Sequence, residues 1–293
     1  MTRATTPERL MPQEMSDKTC LVTGATLGIG KETALGLARL GAKVVIVGRD
    51  EARTRATAAE IAKETGNPNV DFLVADLSLQ SGVRALAAAF KAKYSRLDVL
   101  INNAGAVFMK REVTSEGFER TWALDHLAEF LLTDLLLDTL QASAPGRIVN
   151  VASGAHTGGK IDFDDVQRSK KYGGIGAYNQ AKLANVMFTY ALARRLAGKG
   201  VTVNCLHPGV VATGFGHNTP GLVKTLLSWG RPFLLTAANG AKTSIYLASS
   251  PEVAAVSGKY FDKCKPVASS KASYDEAAQE RLWEMSLKQT GLA

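Results

Sequence analysis

Tyr178 and Lys182 stand four residues apart in a segment with helical spacing, so their side chains share one face. A phenol normally titrates near about 10. An ammonium beside it favours the phenolate and lowers that value, and a phenol brought toward neutrality can give a proton to a carbonyl oxygen or take one from an alcohol. On its own, such a pair is an ordinary solvated helix face. A second constellation gives it a context: Thr23-Gly24-Ala25-Thr26-Leu27-Gly28-Ile29-Gly30 follows an apolar run and opens a helical pattern. Glycine lets the backbone turn sharply and lets a phosphate approach where a Cβ would stand. The helix start then offers free N–H groups and a positive dipole end to a pyrophosphate. Glycines also serve plain tight turns, but strand, turn and helix in this order are what a dinucleotide site requires. The positive nicotinamide of such a cofactor would reinforce the effect of Lys182 on Tyr178, and Lys182 can also hold the nicotinamide ribose.

The elements that must position these residues are legible as alternation. Cys20–Val22, Lys43–Val47, Asp71–Ala75, Val99–Ile101, Arg147–Val151 and Thr202–Leu206 read as strands, and Lys259–Phe261 as a further one. Gly30–Leu40, Glu51–Thr65, Gln80–Tyr94, Phe118–Ala142 and Tyr178–Gly198 carry helical spacing. Strands separated by helices imply βαβ units. The expected fold is α/β: one Rossmann-type doubly wound parallel sheet of about seven strands with helices on both faces. Residues 1–17 read as a polar arm and 18–293 as one dinucleotide-binding catalytic domain, with a C-terminal extension from about 264.

Composition excludes several functions. With 46% hydrophobic and 21% charged residues over 293, the chain is not disordered. Its most apolar stretch, Phe130 to Leu140, is broken by Asp134 and Asp138, so no transmembrane helix is expected. The start of the chain lacks the apolar core of a secretory signal. Cys20, Cys205 and Cys264 are far apart, which argues against a disulfide framework or a metal site and for a reducing, cytoplasmic setting. The net charge of +8 is dispersed rather than gathered, so nucleic acid is not an expected partner. A phosphorylated cofactor would use part of it.

The turn has the spacing T-G-x-x-x-G-x-G, one residue longer than the common dinucleotide pattern. With Asn102-Asn103-Ala104-Gly105, Tyr178-x-x-x-Lys182 and Pro208-Gly209 in this order, the chain from Lys18 onward resembles the short-chain dehydrogenase/reductase family. Ala155-His156, the run Ala177 to Asn185, the run Leu206 to Thr213, and Ser249 to Val253 are similar to its retinol dehydrogenase-like branch. The resemblance implies Tyr178 as acid/base and Ser153, at the end of the fifth strand, as the group that orients the substrate oxygen. It implies Thr23, Gly24, Thr26, Leu27, Gly28, Ile29 and Gly30 around the pyrophosphate, and Asp76 with Leu77 at the adenine. Asn103, Ala104 and Gly105 form a wall beside the adenosine, and Pro208 and Gly209 bend over the nicotinamide. Thr213 is placed to serve its carboxamide or the pyrophosphate. Each has a plainer reading as a turn residue or cap, and Asp76 can serve both roles. Ser153 and Tyr178 are separated by 25 residues, about twice the family spacing, so Gly158 to Asp165 must loop out between them. His156 in this insertion reads as structural rather than as a second base.

Cofactor choice is read at the end of the second strand, Val44 to Asp50. A carboxylate at the strand tip would bond the ribose hydroxyls and repel a 2′-phosphate. That tip is Gly48, and Arg49 next to it offers a guanidinium suited to phosphate. Thr26 can add a hydroxyl. NADP(H) is therefore expected over NAD(H). Asp50 is the opposing feature, since a shift of one residue restores a carboxylate.

Asp125 is a departure. The family places an asparagine there to hold a water joining the active-site lysine to solvent, and the branch continues Gly-His-Phe where this chain has Ala128-Glu129-Phe130. An ionised aspartate accepts hydrogen bonds but donates none. It either holds the same water or pairs with Lys182 and weakens its hold on Tyr178, giving an active enzyme with an altered pH profile. Residues 214–236 read as an apolar substrate lid, or as a surface for a membrane or partner. The expected function is hydride transfer between NADP(H) and a small lipophilic carbonyl or alcohol. The alternative is an NADP(H)-binding regulatory or scaffold protein without turnover. A light-driven tetrapyrrole reductase would share the Tyr–Lys logic, but no pigment signature is present. Pairing through Phe118–Ala142 and Tyr178–Gly198 into a homodimer or homotetramer is compatible with the sequence. Leu282, Trp283 and Leu287 could dock on the fold or on a neighbour.

Overall fold

The computed structural model describes residues 14–209 and 236–293. Strands β1 (Thr19–Thr23), β2 (Lys43–Gly48), β3 (Val70–Val74), β4 (Val99–Asn102), β5 (Gly146–Val151), β6 (Val201–His207), β7 (Tyr260–Asp262) and β8 (Lys265–Val267) form one sheet. Its order is β3-β2-β1-β4-β5-β6-β7-β8. The first seven strands run parallel, and β8 turns back antiparallel to β7, so it is an added hairpin strand beyond the expected number. Lys263 and Cys264 make that turn at positive φ.

The side chains of each strand alternate between two cores, which is why the runs are continuously apolar. Cys20, Val22, Val44, Ile46, Val99, Ile101, Val149 and Val151 point to one face. There they meet α1 (Gly28–Arg39), α2 (Glu51–Thr65) and α7 (Ala237–Ser249). Leu21, Val45, Val47, Leu100, Ile148, Val201 and Val203 point to the other, against α3 (Gln80–Lys93), α5 (Ala128–Ala142) and α6 (Gly174–Arg195). Helix α7 has no counterpart in the expected pattern. It packs on α1, where a Cβ at Gly36 would run into Ile245.

Two helix boundaries differ from expectation in ways that matter for the site. The predicted helix Phe118–Ala142 starts as the short α4 (Arg120–Trp122), widens into a π-helical turn at Ala123–Leu127, and only then becomes α5. Such turns insert one extra residue and re-aim the side chains within them; Asp125 is one of these. Helix α6 begins at Gly174, so Tyr178 lies a full turn inside it rather than at its start.

The C-terminal helix α8 (Glu276–Thr290) docks on its own fold. Leu282 is buried, and Trp283 packs its ring 5.0 Å from that of Phe130 and 5.8 Å from that of Phe188. Among the described residues no helix is long and apolar enough to cross a membrane.

Candidate active site

Sheet order reverses between β1 and β4, and in doubly wound sheets ligands bind at this switch point, beyond the C-terminal strand ends. The glycine-rich turn closes there. The Thr23 hydroxyl donates to the Ile101 carbonyl and accepts from the N–H groups of Asn103 (2.9 Å) and Ala104 (3.0 Å). Asn103 returns its amide to the carbonyls of Thr23 (2.8 Å) and Gly24 (3.1 Å). Asn103 and Ala104 thus brace the turn. Gly24 and Gly28 adopt positive φ of 62° and 59°, a region open to glycine. A Cβ at Gly24 would lie 2.8 Å from the Ala104 Cα, and one at Gly30 would overlap Asn103 and the Gly24 carbonyl. Helix α1 starts behind this cradle with no side-chain cap on Leu27, so its first N–H groups remain available to an anion. The turn fits a pyrophosphate, and its exposed Leu27 flanks it.

At the tip of β2, Gly48 is buried and a Cβ there would overlap Thr54 and Thr26. A carboxylate cannot be accommodated at this position without repacking. Asp50 is engaged elsewhere, its Oδ1 accepting from the Arg53 N–H (2.8 Å) as N-cap of α2. Arg49 is exposed beside them. Asp76 accepts from both the N–H and the hydroxyl of Ser78. Burial pushes its carboxyl up, but these bonds and the Arg49 charge hold it below the usual range. Asp76 thus closes a turn with Ser78 and does not cap α3, which starts after Leu79 without a side-chain cap; Leu77 beside it is buried.

Ser153 follows β5 and caps the 3₁₀ turn Gly154–Gly158, its hydroxyl accepting from the Ala155 N–H (3.1 Å). The intervening insertion is packed rather than loose. Gln180 accepts from the Asp162 N–H and donates to the Val166 carbonyl. Ile161 and Val166 join a core with Ala181, Leu183 and Ala184. Ser153 and Tyr178 consequently meet in a hydrogen bond despite their separation in the chain. His156 donates from Nδ1 to the Ser153 carbonyl (2.7 Å) and accepts at Nε2 from the Ser270 N–H (3.1 Å). With both nitrogens occupied and burial lowering its pKa, it is a neutral brace for Ser153.

Lys182 donates to the Val151 carbonyl (3.1 Å) and faces Asp125 Oδ2 at 3.7 Å, both residues being buried. Asp125 Oδ1 accepts from the Ala106 N–H (2.9 Å). A Cβ at Gly105 would lie 3.2 Å from both Asp125 Oδ2 and the Lys182 ammonium, so this glycine admits the pair. Pairing with Lys182 is one of the two arrangements the sequence left open for Asp125, and the two groups stand close enough for it. Burial lifts Asp125 to about 6, against the pull of Lys182 and the Ala106 N–H. Burial depresses Lys182, but Asp125, Tyr178 and Glu129 raise it further.

Lys182 by itself does not bring the phenol of Tyr178 below its ordinary value, an effect expected of it together with a bound nicotinamide. Burial pushes the phenol up first, Lys182 draws it down, and Asp125 pushes it up again. Desolvation of the phenolate outweighs one ammonium whose charge Asp125 already offsets. Glu129, buried one helical turn beyond Asp125, received no role from the sequence, although its departure from the branch pattern was visible.

Pro208 and Gly209 leave β6 at the same end of the sheet, Gly209 at φ 83°. Thr213 and the expected lid lie outside the described residues, except for Thr236, which caps α7.

A family model for short chain dehydrogenases matches residues 18–221. The chain belongs to the short-chain dehydrogenase family. Within it the chain falls in the retinol dehydrogenase-like branch. It is 45% identical to retinol dehydrogenase 13 of Homo sapiens, over 94% of this chain and 85% of that protein. It is 41% identical to polyprenol dehydrogenase of Homo sapiens, over 94% and 86%. Among solved structures, the complex of Pseudomonas aeruginosa RhlG with NADP superposes with a TM-score of 0.70 at 28% identity, covering 85% of this chain and 96% of that one. This short-chain dehydrogenase is thus an oxidoreductase acting between alcohol and carbonyl groups with a nicotinamide cofactor.

Proposed function

We propose that this short-chain dehydrogenase is an NADP(H)-dependent oxidoreductase of lipophilic alcohols and aldehydes or ketones, with Tyr178 as general acid/base. The observation that carries this reading is the meeting of Tyr178, Ser153 and Lys182 beyond β5, beside the glycine cradle of β1. The bound nicotinamide supplies or accepts the hydride. Ser153 hydrogen-bonds the substrate oxygen and orients its carbon. Tyr178 gives that oxygen a proton in reduction and removes one in oxidation. Lys182, held by Val151 and Asp125, keeps a positive charge under the phenol. Thr23, Gly24 and Leu27 to Gly30 cradle the pyrophosphate, with Asn103, Ala104 and Gly105 beside them. Asp76 and Leu77 flank the adenine, and Pro208 and Gly209 the nicotinamide.

Arg49, with no carboxylate possible at Gly48 and Asp50 engaged as a cap, favours a 2′-phosphate and hence NADP(H). The retinol and polyprenol in the relatives' names are isoprenoid alcohols, which supports a lipophilic substrate here. A second reading, a cofactor-binding protein without turnover, draws on the Asp125–Lys182 pair, which blunts the activation of Tyr178. Tyr178→Phe separates them. The enzyme reading predicts that turnover falls roughly 10²- to 10⁴-fold while NADPH still binds. Turnover unaffected by the substitution overturns it.

A further inference from the structure

Two buried carboxyl groups, Asp125 and Glu129, act on the one buried ammonium of Lys182. Asp125 and Glu129 sit on successive turns of one helical segment, and both are buried. Lys182 and Asn185 sit opposite them on α6. Lys182 meets Asp125 at 3.7 Å, whereas among the described residues Glu129 receives only the amide of Asn185 on Oε2 (2.9 Å). Among the described residues, Glu129 Oε1, Asp125 Oδ2, Asn185 Oδ1 and His126 Nδ1 are buried without a hydrogen-bond partner, but Asp125 has the Lys182 charge beside it. Carboxylate and carbonyl oxygens donate nothing, so this cluster is short of hydrogens. A buried, unpaired carboxylate is costly and takes up a proton instead.

We propose that Glu129 carries a proton at neutral pH and, as a positioning residue, leaves Asp125 the single anion facing Lys182 and Tyr178. A proton on Glu129 leaves one carboxylate, Asp125, against the one ammonium of Lys182. Burial lifts Glu129 to about 8, with Lys182 lowering it and Asp125 raising it.

The groups around Glu129 agree with this assignment. Its own helical segment brings Asp125 and the neutral His126, which burial holds near about 3. Helix α6 brings Lys182 and the Asn185 amide, and β6 brings the Cys205 thiol, pushed up by burial with Glu129 adding to the rise. Glu119, which acts on Asp125, is taken up by the N–H groups of Thr121 and Trp122. On α3, Arg84 bonds the Thr290 carbonyl and Lys91 bonds Asp138. When Glu129 ionises, a second anion acts on Lys182, and an ammonium so compensated does less to favour the phenolate of Tyr178.

The kinetic consequence rests on the proposed hydride-transfer function; the place of the proton does not. Infrared spectroscopy of the full chain without cofactor locates it. At about pH 7 the wild type shows a protonated-carboxyl C=O band that is lost as pH rises through about 8. That band disappears in Glu129→Gln and persists in Asp125→Asn. Absence of the band from the wild type, or its loss in Asp125→Asn but not in Glu129→Gln, overturns the proposal. In alcohol oxidation with NADP⁺, wild type and Glu129→Gln coincide at about pH 6.5, and the variant is about threefold faster at about pH 9, where it lacks the second anion. Coincidence at both pH values overturns the positioning role. Should no alcohol turn over in either protein, the infrared titration still decides where the proton lies, and only the functional reading fails.

Discussion

Asp125 Oδ2 and the Lys182 ammonium face each other at 3.7 Å in a buried pocket, with Gly105 the residue that leaves room for both. The pair places a negative charge against the cation that should activate Tyr178. Removing that charge lets Lys182 act unopposed, which lowers the pKa of the phenol. For Asp125→Asn we therefore expect the pH midpoint of alcohol oxidation to move to lower pH by roughly one unit. Rate–pH curves of the two proteins on one alcohol check this. Superimposable curves would show that Asp125 has no hold on Tyr178.

Cofactor discrimination is expected to rest on Arg49. Loss of a charge-assisted bond to a 2′-phosphate is worth about 1.5–3 kcal/mol, so Arg49→Gln should weaken NADPH binding roughly 10- to 100-fold. NADH binding should stay unchanged. Fluorescence titration of both cofactors measures it. Equal losses for the two would mean that Arg49 does not meet the extra phosphate.

Gly24 offers a test of the turn itself. Its φ of 62° and the 2.8 Å clearance to the Ala104 backbone leave no place for a methyl group. Gly24→Ala should cost on the order of 2 kcal/mol of stability and abolish binding of either cofactor. A variant with wild-type melting temperature and wild-type binding would contradict the account of the cradle.

Glu129 makes a prediction about stability that is separate from catalysis. Its folded pKa of about 8 lies above the roughly 4.3 of an unfolded glutamate. The folded state binds this proton more tightly, so the stabilisation from the group is present at low pH and is lost as pH rises through that window. The loss runs at about 1.4 kcal/mol per pH unit. Glu129→Gln has no such titration, and its unfolding free energy should gain on the wild type from about pH 5 to about pH 8, then level off. Urea unfolding at several pH values shows whether it does; a constant difference contradicts it.

Much of this site was readable from residue order. The glycine turn, the Tyr178–Lys182 pair and the strands that end beside them are local patterns, written in neighbouring residues. Gly48 was readable as the tip of β2, but the engagement of Asp50 and the packing around Gly48 needed three dimensions. Only the overlap with Thr26 and Thr54, and the bond from Arg53, remove a carboxylate from the tip of β2. The raised pKa of Tyr178 was beyond the sequence for a similar reason. It depends on burial and on an anion from the π-helical turn, and neither is visible in the spacing of residues 178 and 182. Helix α7 was missed because no β-strand pattern precedes it, and β8 because three exposed residues carry no alternation. Glu129 stood out only as a departure; its place in the proton balance comes from what surrounds it.

The most direct test is an NADPH-consumption assay, with NADH in parallel, on a panel of lipophilic aldehydes and ketones that includes isoprenoid aldehydes. The account predicts turnover with NADPH on at least one isoprenoid aldehyde, a clear preference over NADH, and loss of that turnover in Tyr178→Phe. Tight NADPH binding with no turnover on the panel, or turnover that survives Tyr178→Phe, would contradict it.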